Sequence, residues 1–290
     1  MRSNFRGFTL VELLVALTLG LIIVAAALQL LISGQSTLTF QKAMENVQDN
    51  ANFGINYIAA DIRQTNLDIG GRKMSNSTLS GLIVKKENYP SGITTEDLPL
   101  SSAGTGATLA DAKSDILVIQ YKPAQPNGFD CEGKKIASTN SIVVQKYFIR
   151  EDASNKNGDL VLACAAGRYE AGAAAPALTE LTTTSTGQII LQRVDQFKVL
   201  VGVIDATNKM SYLTLTQFEE ADASIRPVSL QIGVLVRSVD NAGLNTVIPG
   251  KYTLLNTPYK VSNPAGVNGK YLRVPIEQTI AIRNAIGDAK

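Results

Sequence analysis

The feature that most constrains this chain of 290 residues is an apolar run near its start, from Phe8 to Ile32. The 25 residues of this run contain one formal charge, at Glu12, and a single amide. A hydrocarbon core of about 30 Å needs about 20 helical residues, so the run is long enough to span a membrane. Two arginines precede it and no acid does. The positive-inside bias therefore predicts that residues 1–7 are cytoplasmic and that residues 33–290 lie on the other side of the membrane.

An ordinary cleaved secretory signal is the alternative interpretation of this run. Such signals have an apolar region of about 7–15 residues that ends in an A-x-A-like cleavage site. Here the three alanines at 25–27 lie inside the apolar run, and Ile32-Ser33-Gly34 is a poor match to a cleavage site. The length and the lack of a site favour a membrane-spanning helix.

The composition excludes several classes of enzyme and metal protein. The chain has no histidine and two cysteines, so it cannot hold a Ser-His-Asp triad, a His-ligated metal or a four-thiolate zinc ion. Its 27 basic and 25 acidic side chains give a net charge of +2, and no basic cluster interleaved with aromatic residues indicates a nucleic-acid site. We find no catalytic residue, cofactor site or metal site, and we expect a protein that is not an enzyme.

Glu12 is the informative residue of the apolar run. A carboxylate within a transmembrane segment costs about 2.5–3.5 kcal/mol on insertion scales and usually has a partner. No lysine or arginine lies between Phe8 and Gln41. A tolerated carboxylate near the membrane interface is the structural alternative, because Glu12 is only four residues into the run.

The residues around Glu12 resemble a known processing signal. Gly7-Phe8-Thr9-Leu10-Val11-Glu12, with basic residues just before it, resembles the class III signal of type IV pilins and pseudopilins. The resemblance implies that prepilin peptidase cuts between Gly7 and Phe8 and methylates Phe8. It also implies that Glu12 pairs with the charged α-amine of Phe8 in a neighbouring subunit. Because an unpaired charge is costly in low dielectric, such a pair would fix the axial register of subunits.

The helix is predicted to continue beyond the membrane. No proline interrupts residues 8–64, and the pair Gly70-Gly71 marks a stop. Apolar residues recur every 3.7 residues or so, the period of an amphipathic helix, at Phe40, Met44, Val47, Ala51, Ile55, Ile58 and Ile62. We therefore expect a leader at 1–7, an apolar half-helix at 8–32, an amphipathic half-helix at 33–65 and a globular head at 66–290.

The head has the pattern of a β-rich domain. Apolar runs that alternate with polar residues or contain many β-branched residues predict strands. They lie at Gly81–Lys85, Asp115–Lys122, Ser141–Arg150, Asp159–Cys164, Gln188–Ile204, Val228–Val239 and Lys270–Arg283. A short helix is expected around Gln217–Ala223, and loops rich in small residues at Pro99–Lys113 and Ala171–Gly187. The predicted fold class is α+β, pilin-like, with the long helix packed on an antiparallel sheet.

Cys131 and Cys164 flank the predicted strand Ser141–Arg150. If the head lies outside the cytoplasm, oxidising conditions favour a disulfide between them. In the chain-entropy model such a bridge stabilises the fold by roughly 3–4 kcal/mol. Two free buried thiols are the alternative.

Two segments of the head resemble the PilW family of minor pilins. They are Val228-Ser-Leu-Gln-Ile-Gly-Val-Leu-Val-Arg237-Ser238 and the stretch from Tyr271-Leu-Arg-Val to Ile280-Ala-Ile-Arg283-Asn284. The resemblance implies a minor subunit that primes assembly of a type IV pilus and sits near its tip, supporting twitching motility, adhesion or DNA uptake. It implies an inner-membrane protein that later enters the pilus. The implied partners are prepilin peptidase, other minor pilins, the major pilin, the inner-membrane assembly platform and a large tip adhesin.

Two other functions fit the same sequence. A minor pseudopilin of a type II secretion system shares the processing motif and the architecture. A periplasmic binding domain held by an uncleaved signal anchor would need no processing at Gly7.

Overall fold

The structure, a computed structural model, describes residues 7–69, 73–154, 158–243 and 247–285. It has the predicted α+β fold, a long N-terminal helix followed by an antiparallel β head. The predicted stop at Gly70-Gly71 lies outside the described residues. The helices are α1 Leu10–Gln64 and α2 Leu215–Glu220. The strands are β1 Ser102–Gly106, β2 Ser114–Tyr121, β3 Ser141–Glu151, β4 Leu160–Glu170, β5 Gln188–Gln192, β6 Val194–Ile204, β7 Met210–Thr214, β8 Arg226–Asn241, β9 Tyr252–Leu254, β10 Thr257–Tyr259 and β11 Tyr271–Ala281.

Helix α1 is continuous over 55 residues, which makes it about 82 Å long at 1.5 Å per residue. It ends at Gln64, where the Thr65 N–H donates to the Ile62 carbonyl over 3.0 Å. Asn66 then adopts a positive φ of 66°, which asparagine tolerates better than most residues. The chain therefore leaves the helix before the glycine pair that predicted its end.

The head packs against the last twenty or so residues of α1. The buried stripe of the helix consists of Ala43, Val47, Ala51, Gly54, Ile55, Ile58, Ala59 and Ile62. The predicted apolar face is thus confirmed from Val47 onward. Burial begins at Ala43 rather than at Phe40, which stays 37% exposed.

The strands form two main sheets rather than the one sheet expected from the sequence. Sheet I has the order β1-β2-β3-β4-β5, sheet II has the order β11-β8-β6-β7, and β9 and β10 form a separate hairpin. The predicted strand Gln188–Ile204 is divided at Arg193, whose φ is +55°. Because this residue breaks the extended backbone, β5 joins sheet I and β6 joins sheet II.

Other differences from the sequence prediction are local. Segment Gly81–Lys85 forms only an isolated bridge, between Leu82 and Ile119. Strand β1 lies within Pro99–Lys113, which was expected to be a loop. The short helix α2 begins earlier than predicted because Thr214 caps it, accepting the Gln217 N–H over 3.2 Å.

A single apolar core joins α1 to both sheets. It contains Ile58 of α1, Tyr147 and Leu162 of sheet I, and Phe197 and Val234 of sheet II, all fully buried. A second cluster covers the other face of sheet I, where Ile83, Tyr89 and Leu98 lie over the strands. Sheet I is therefore buried on both faces, which explains why β3 and β4 are apolar with little alternation.

Gly54 sets how closely α1 approaches the edge strand β5. A Cβ atom at Gly54 would lie 1.4 Å from Leu191 Cδ1 and 3.2 Å from the Ile190 carbonyl oxygen. One turn earlier, Asn50 Nδ2 donates to the Gln192 carbonyl over 2.8 Å. The helix thus covers the edge of sheet I with a close backbone approach and a side-chain hydrogen bond.

We expect Gly54→Ala to destabilise the full chain in detergent micelles by about 1–3 kcal/mol, because the added methyl group overpacks a buried contact. Thermal unfolding followed by circular dichroism should show a clear fall in Tm. Gly34→Ala is the matched control, since a Cβ at Gly34 meets nothing within 4 Å and alanine favours a helix. A Gly54→Ala protein as stable as the control would contradict the close approach.

Candidate functional site in the N-terminal helix and its attachment to the head

The first half of α1 projects away from the head. The helix contains a window apolar and long enough to cross a membrane, and none of that window is buried. Its large side chains are exposed on every side, from Leu10 at 75% to Ile32 at 61%. Such a surface is stable only where lipid or other protein covers it.

The predicted processing residues lie at the start of α1. Gly7 and Phe8 precede the helix, and the Phe8 side chain is 84% exposed. Thr9 is the N-cap, its hydroxyl accepting the Glu12 N–H over 3.2 Å. Glu12 is thus the third helical residue, where a carboxylate interacts favourably with the helix dipole by about 0.3–1 kcal/mol. Among the described residues, no ion pair involves Glu12.

Sequence reasoning missed the role of Thr9. The pattern Thr9-x-x-Glu12 is the sequence signature of a capping box, and the structure contains the bond from the Glu12 N–H to the threonine. This bond uses the backbone N–H of Glu12 and not its carboxylate.

Near its other end, α1 carries a half-buried acid, Asp61, against sheet I. Tyr147 Oη donates to Asp61 Oδ2 over 2.6 Å. The Gln145 amide, with its nitrogen toward Asp61, donates to the same oxygen over 3.2 Å and accepts the Cys131 N–H over 3.2 Å. Burial raises the pKa of Asp61 to about 6, although the Tyr147 hydrogen bond opposes the rise and the Asp130 charge adds to it.

The tyrosines around Asp61 are held neutral. Burial raises the pKa of Tyr57 to about 12, and the charge of Asp61 adds to that rise. Burial also raises the pKa of Tyr121 and of Tyr147 well above the ordinary value of 10.0. All three therefore keep their hydroxyl protons at neutral pH, and Tyr147 donates a hydrogen bond to Asp61.

The disulfide lies beside the contact between Asp61 and sheet I. Cys131 and Cys164 are bonded, with their Cα atoms 6.0 Å apart, so the bridge expected from the sequence is present. Cys164 is in β4 and pairs directly with Tyr147 of β3. The bridge thus ties the segment before β3 to the strands that hold Asp61, and both sulfurs belong to the main core.

A buried cluster of arginines and aspartates joins the two sheets. Arg237 of β8, whose side chain is fully buried, pairs with Asp159 at the start of β4 and, over 3.2 Å, with Asp195 of β6. Arg273 of β11 donates to Asp195 Oδ2 over 2.6 Å. Arg193, between the sheets, contacts Asp159 over 3.2 Å. We call these five residues the ionic cluster.

The ionic cluster was not predicted from the sequence. Burial raises the pKa of Asp195, and the guanidinium groups of Arg237 and Arg273 oppose that rise. Removing one partner of such a pair typically costs 3–5 kcal/mol, because the other charge stays buried. The signal that could have found it is Arg237, a lone charge that follows an apolar run in β8.

Comparison with known families decides the identity. The prokaryotic N-terminal methylation motif matches residues 2–28. The model for type IV pilus-assembly protein W matches residues 146–284, which include β8, β11 and all five residues of the ionic cluster. Together the two matches support a PilW-like minor pilin of the type IV superfamily.

One solved structure is also similar to this PilW-like pilin. It is a type IV-like pilin from Thermus thermophilus, with 13% identity and a TM-score of 0.41, and the match covers 82% of this chain and 96% of the other. None of the curated proteins compared with the chain matches it.

The predicted site residues of the PilW-like pilin do not come together in one place. Glu12 lies at the start of α1, whereas the disulfide lies near Asp61, a residue that the sequence did not predict and that is about 74 Å from Glu12 along α1 at 1.5 Å per residue. Among the described residues, no group of three or more cysteine, aspartate or glutamate side chains is placed to hold a metal ion. The pilin therefore has an exposed apolar half-helix, residues 8–32, which we call the apolar rod. Far from it lies the contact of Asp61 with sheet I.

Asp61 should make the stability of the pilin depend on pH. Its folded-state pKa of about 6 exceeds the ordinary value of 3.8, so the folded state binds more protons between these values. Stability then rises as pH falls through 6. We expect the wild type to gain on the order of 1 kcal/mol relative to Asp61→Asn between pH 7 and pH 5, measured by urea unfolding in detergent.

Asp49→Asn is the control for this measurement, since Asp49 is exposed on the same helix. It should keep the pH dependence of the wild type. A flat wild-type profile between pH 7 and pH 5 would contradict a half-buried acid with a raised pKa at position 61.

Proposed function

We propose that this PilW-like pilin is a membrane-anchored minor subunit that primes a type IV pilus and remains near its tip. In this proposal prepilin peptidase removes residues 1–7 and methylates Phe8. The apolar half-helix, residues 8–32, then passes from the lipid bilayer into a bundle of pilin helices, while the head stays on the outer side of the membrane.

The observation that carries the proposal is the exposed apolar rod. Its large apolar side chains from Leu10 to Ile32 are exposed, and none of the apolar window is buried. A domain that needed only a tether could use such a helix as well. A tether, however, gives no reason for a glutamate within the apolar run, at Glu12, four residues after the aromatic residue of the Gly7-Phe8 junction.

The proposed pairing supplies that reason. Cleavage after Gly7 creates an α-amine on Phe8, which N-methylation leaves charged at neutral pH. Phe8 lies directly before the Thr9 cap, so its amine lies at the extreme end of the rod. A neighbouring subunit displaced along the filament axis brings its Glu12 to this amine. Since each charge is costly alone in a low dielectric, the pair selects one axial register.

The proposed role is structural rather than enzymatic. Removal of the leader leaves 25 basic and 25 acidic side chains, so long-range attraction gives no preference among partners. We propose that the head selects other minor pilins, the major pilin and a tip adhesin by shape and local contacts, and that the rod engages the inner-membrane assembly platform.

Gly7→Glu should leave the leader attached, because the peptidase needs a small residue before its cut. The measurement is intact mass spectrometry of the protein isolated from cells. The wild type is expected to begin at N-methylated Phe8, and the variant at Met1. A wild-type protein that keeps Met1 would overturn processing and leave a simple signal anchor.

Glu12→Ala and Glu12→Gln should both block piliation while leaving processing at Gly7 intact. The glutamine variant isolates the charge of Glu12, because glutamine is a polar side chain of similar size that carries no charge. Thr9→Ala removes the cap alone and should lower piliation less. Glu45→Ala is the control, an exposed acid of α1 beyond the apolar rod.

The readout is surface pilus counted by electron microscopy in cells that express each variant at equal level. Normal piliation by Glu12→Gln would contradict the charge pairing. Equal loss in Thr9→Ala and Glu12→Ala would indicate that helix capping, rather than pairing, is what assembly needs.

A further inference from the structure

One end of sheet II lies beside α1 just beyond its apolar half. A Cβ atom at Gly243 would lie 3.9 Å from Ser36 Oγ. At the opposite end, the Ile282 N–H donates to the Val228 carbonyl over 2.9 Å, and Asn284 Nδ2 donates to the Thr65 carbonyl over 3.3 Å. Strands β8 and β11 therefore run alongside the helix from Thr65 back to Ser36.

The dimensions of the two elements agree with this arrangement. From Ser36 to Thr65 the helix rises about 43 Å at 1.5 Å per residue. From Val228 to Asn241, strand β8 extends about 43 Å at 3.3 Å per residue. The Asn241 end of β8 is thus level with the start of the amphipathic half-helix.

This level is close to the expected surface of the membrane. Ser36 is four residues beyond Ile32, or about 6 Å along the axis. The headgroup layer on each side of a bilayer is about 5–8 Å thick. If α1 crosses a membrane, as the proposed function requires, the Asn241 end of sheet II lies at headgroup level.

The side chains at this end suit a headgroup region. Val247 is 89% exposed, more than any other large apolar side chain among the described residues, and Val239 is 47% exposed. Lys270 and Lys251, which is four residues after Val247 in the sequence, are also exposed, against one exposed acid in these segments, Asp240. Val247 belongs to the same groove as Lys270, and the Lys270 carbonyl accepts the Ala242 N–H over 2.7 Å, which keeps these segments together.

We propose that the surface formed by Val239, Val247, Lys251 and Lys270 is a lipid-contact surface. Before assembly, its valines enter the headgroup layer of the leaflet from which the head emerges, and its lysines face the phosphates of anionic lipids. The head therefore rests on the surface of the membrane. This inference rests on the proposed membrane anchor.

The chain contains no tryptophan, so a single introduced tryptophan reports one position. The full chain carrying Val247→Trp is reconstituted in vesicles of phosphatidylcholine and phosphatidylglycerol with bromine on the upper acyl carbons. We expect its emission to shift to the blue and to lose at least about half of its intensity relative to unbrominated vesicles.

Met210→Trp is the matched control at the far end of sheet II. Met210 is 49% exposed and pairs with Ile204, which pairs with Arg226 at the start of β8. It is therefore about 50 Å along the strands from Asn241, and its tryptophan should be neither shifted nor quenched. Equal, weak quenching at both positions would overturn the lipid contact.

Leu21→Trp distinguishes this failure from failure of the anchor. Leu21 lies in the middle of the apolar rod, so its tryptophan should be quenched by lipids brominated deep in the chain. Quenching of Leu21→Trp without quenching of Val247→Trp would retain the anchor and reject the lipid-contact surface. An unquenched Leu21→Trp would reject both.

The charge is tested in the Val247→Trp background. Lys251→Glu should reduce quenching in vesicles that contain phosphatidylglycerol and have little effect in phosphatidylcholine alone. Lys209→Glu, an exposed lysine next to the control position, should have no effect in either. Identical quenching by the Lys251→Glu and Lys209→Glu proteins would overturn the role of the lysines.

Discussion

The contact of one face of α1 with two β-sheets is the constraint on which the rest of this structure depends. A helix of 55 residues cannot be stable in water over an apolar first half, so each half needs its own surroundings. The second half obtains them from the head, through the stripe from Ala43 to Ile62. The first half is not covered by its own chain. The protein is therefore a rigid apolar rod that continues without a break into a folded domain.

The head is arranged to hold that helix. Strands β8 and β11 follow it lengthwise, β5 meets it at Gly54, and β3 holds Asp61 through Tyr147. The ionic cluster links the two sheets that make these contacts. The disulfide links the segment before β3 to β4, the strand next to the one that contacts Asp61. A force applied to the apolar rod would therefore act on both sheets rather than on a single loop.

Local patterns in the sequence predict much of the fold, but not all of it. The period of Val47, Ala51, Ile55, Ile58 and Ile62 indicated the buried face because apolar spacing is a local property. Gly54 and Ala59 were missed because small residues matter there through the closeness of another backbone. The division at Arg193 was missed because apolar residues continue on both sides of it, so nothing local shows that the strand changes sheets.

The same distinction applies to the candidate site. Gly7, Phe8 and Glu12 were found because they belong to a short linear motif. The ionic cluster depends instead on residues up to 114 positions apart, from Asp159 to Arg273. Yet the strands that resemble PilW, β8 and β11, are those that carry Arg237 and Arg273 and line the helix. The family-like part of the head thus specifies how the rod is held.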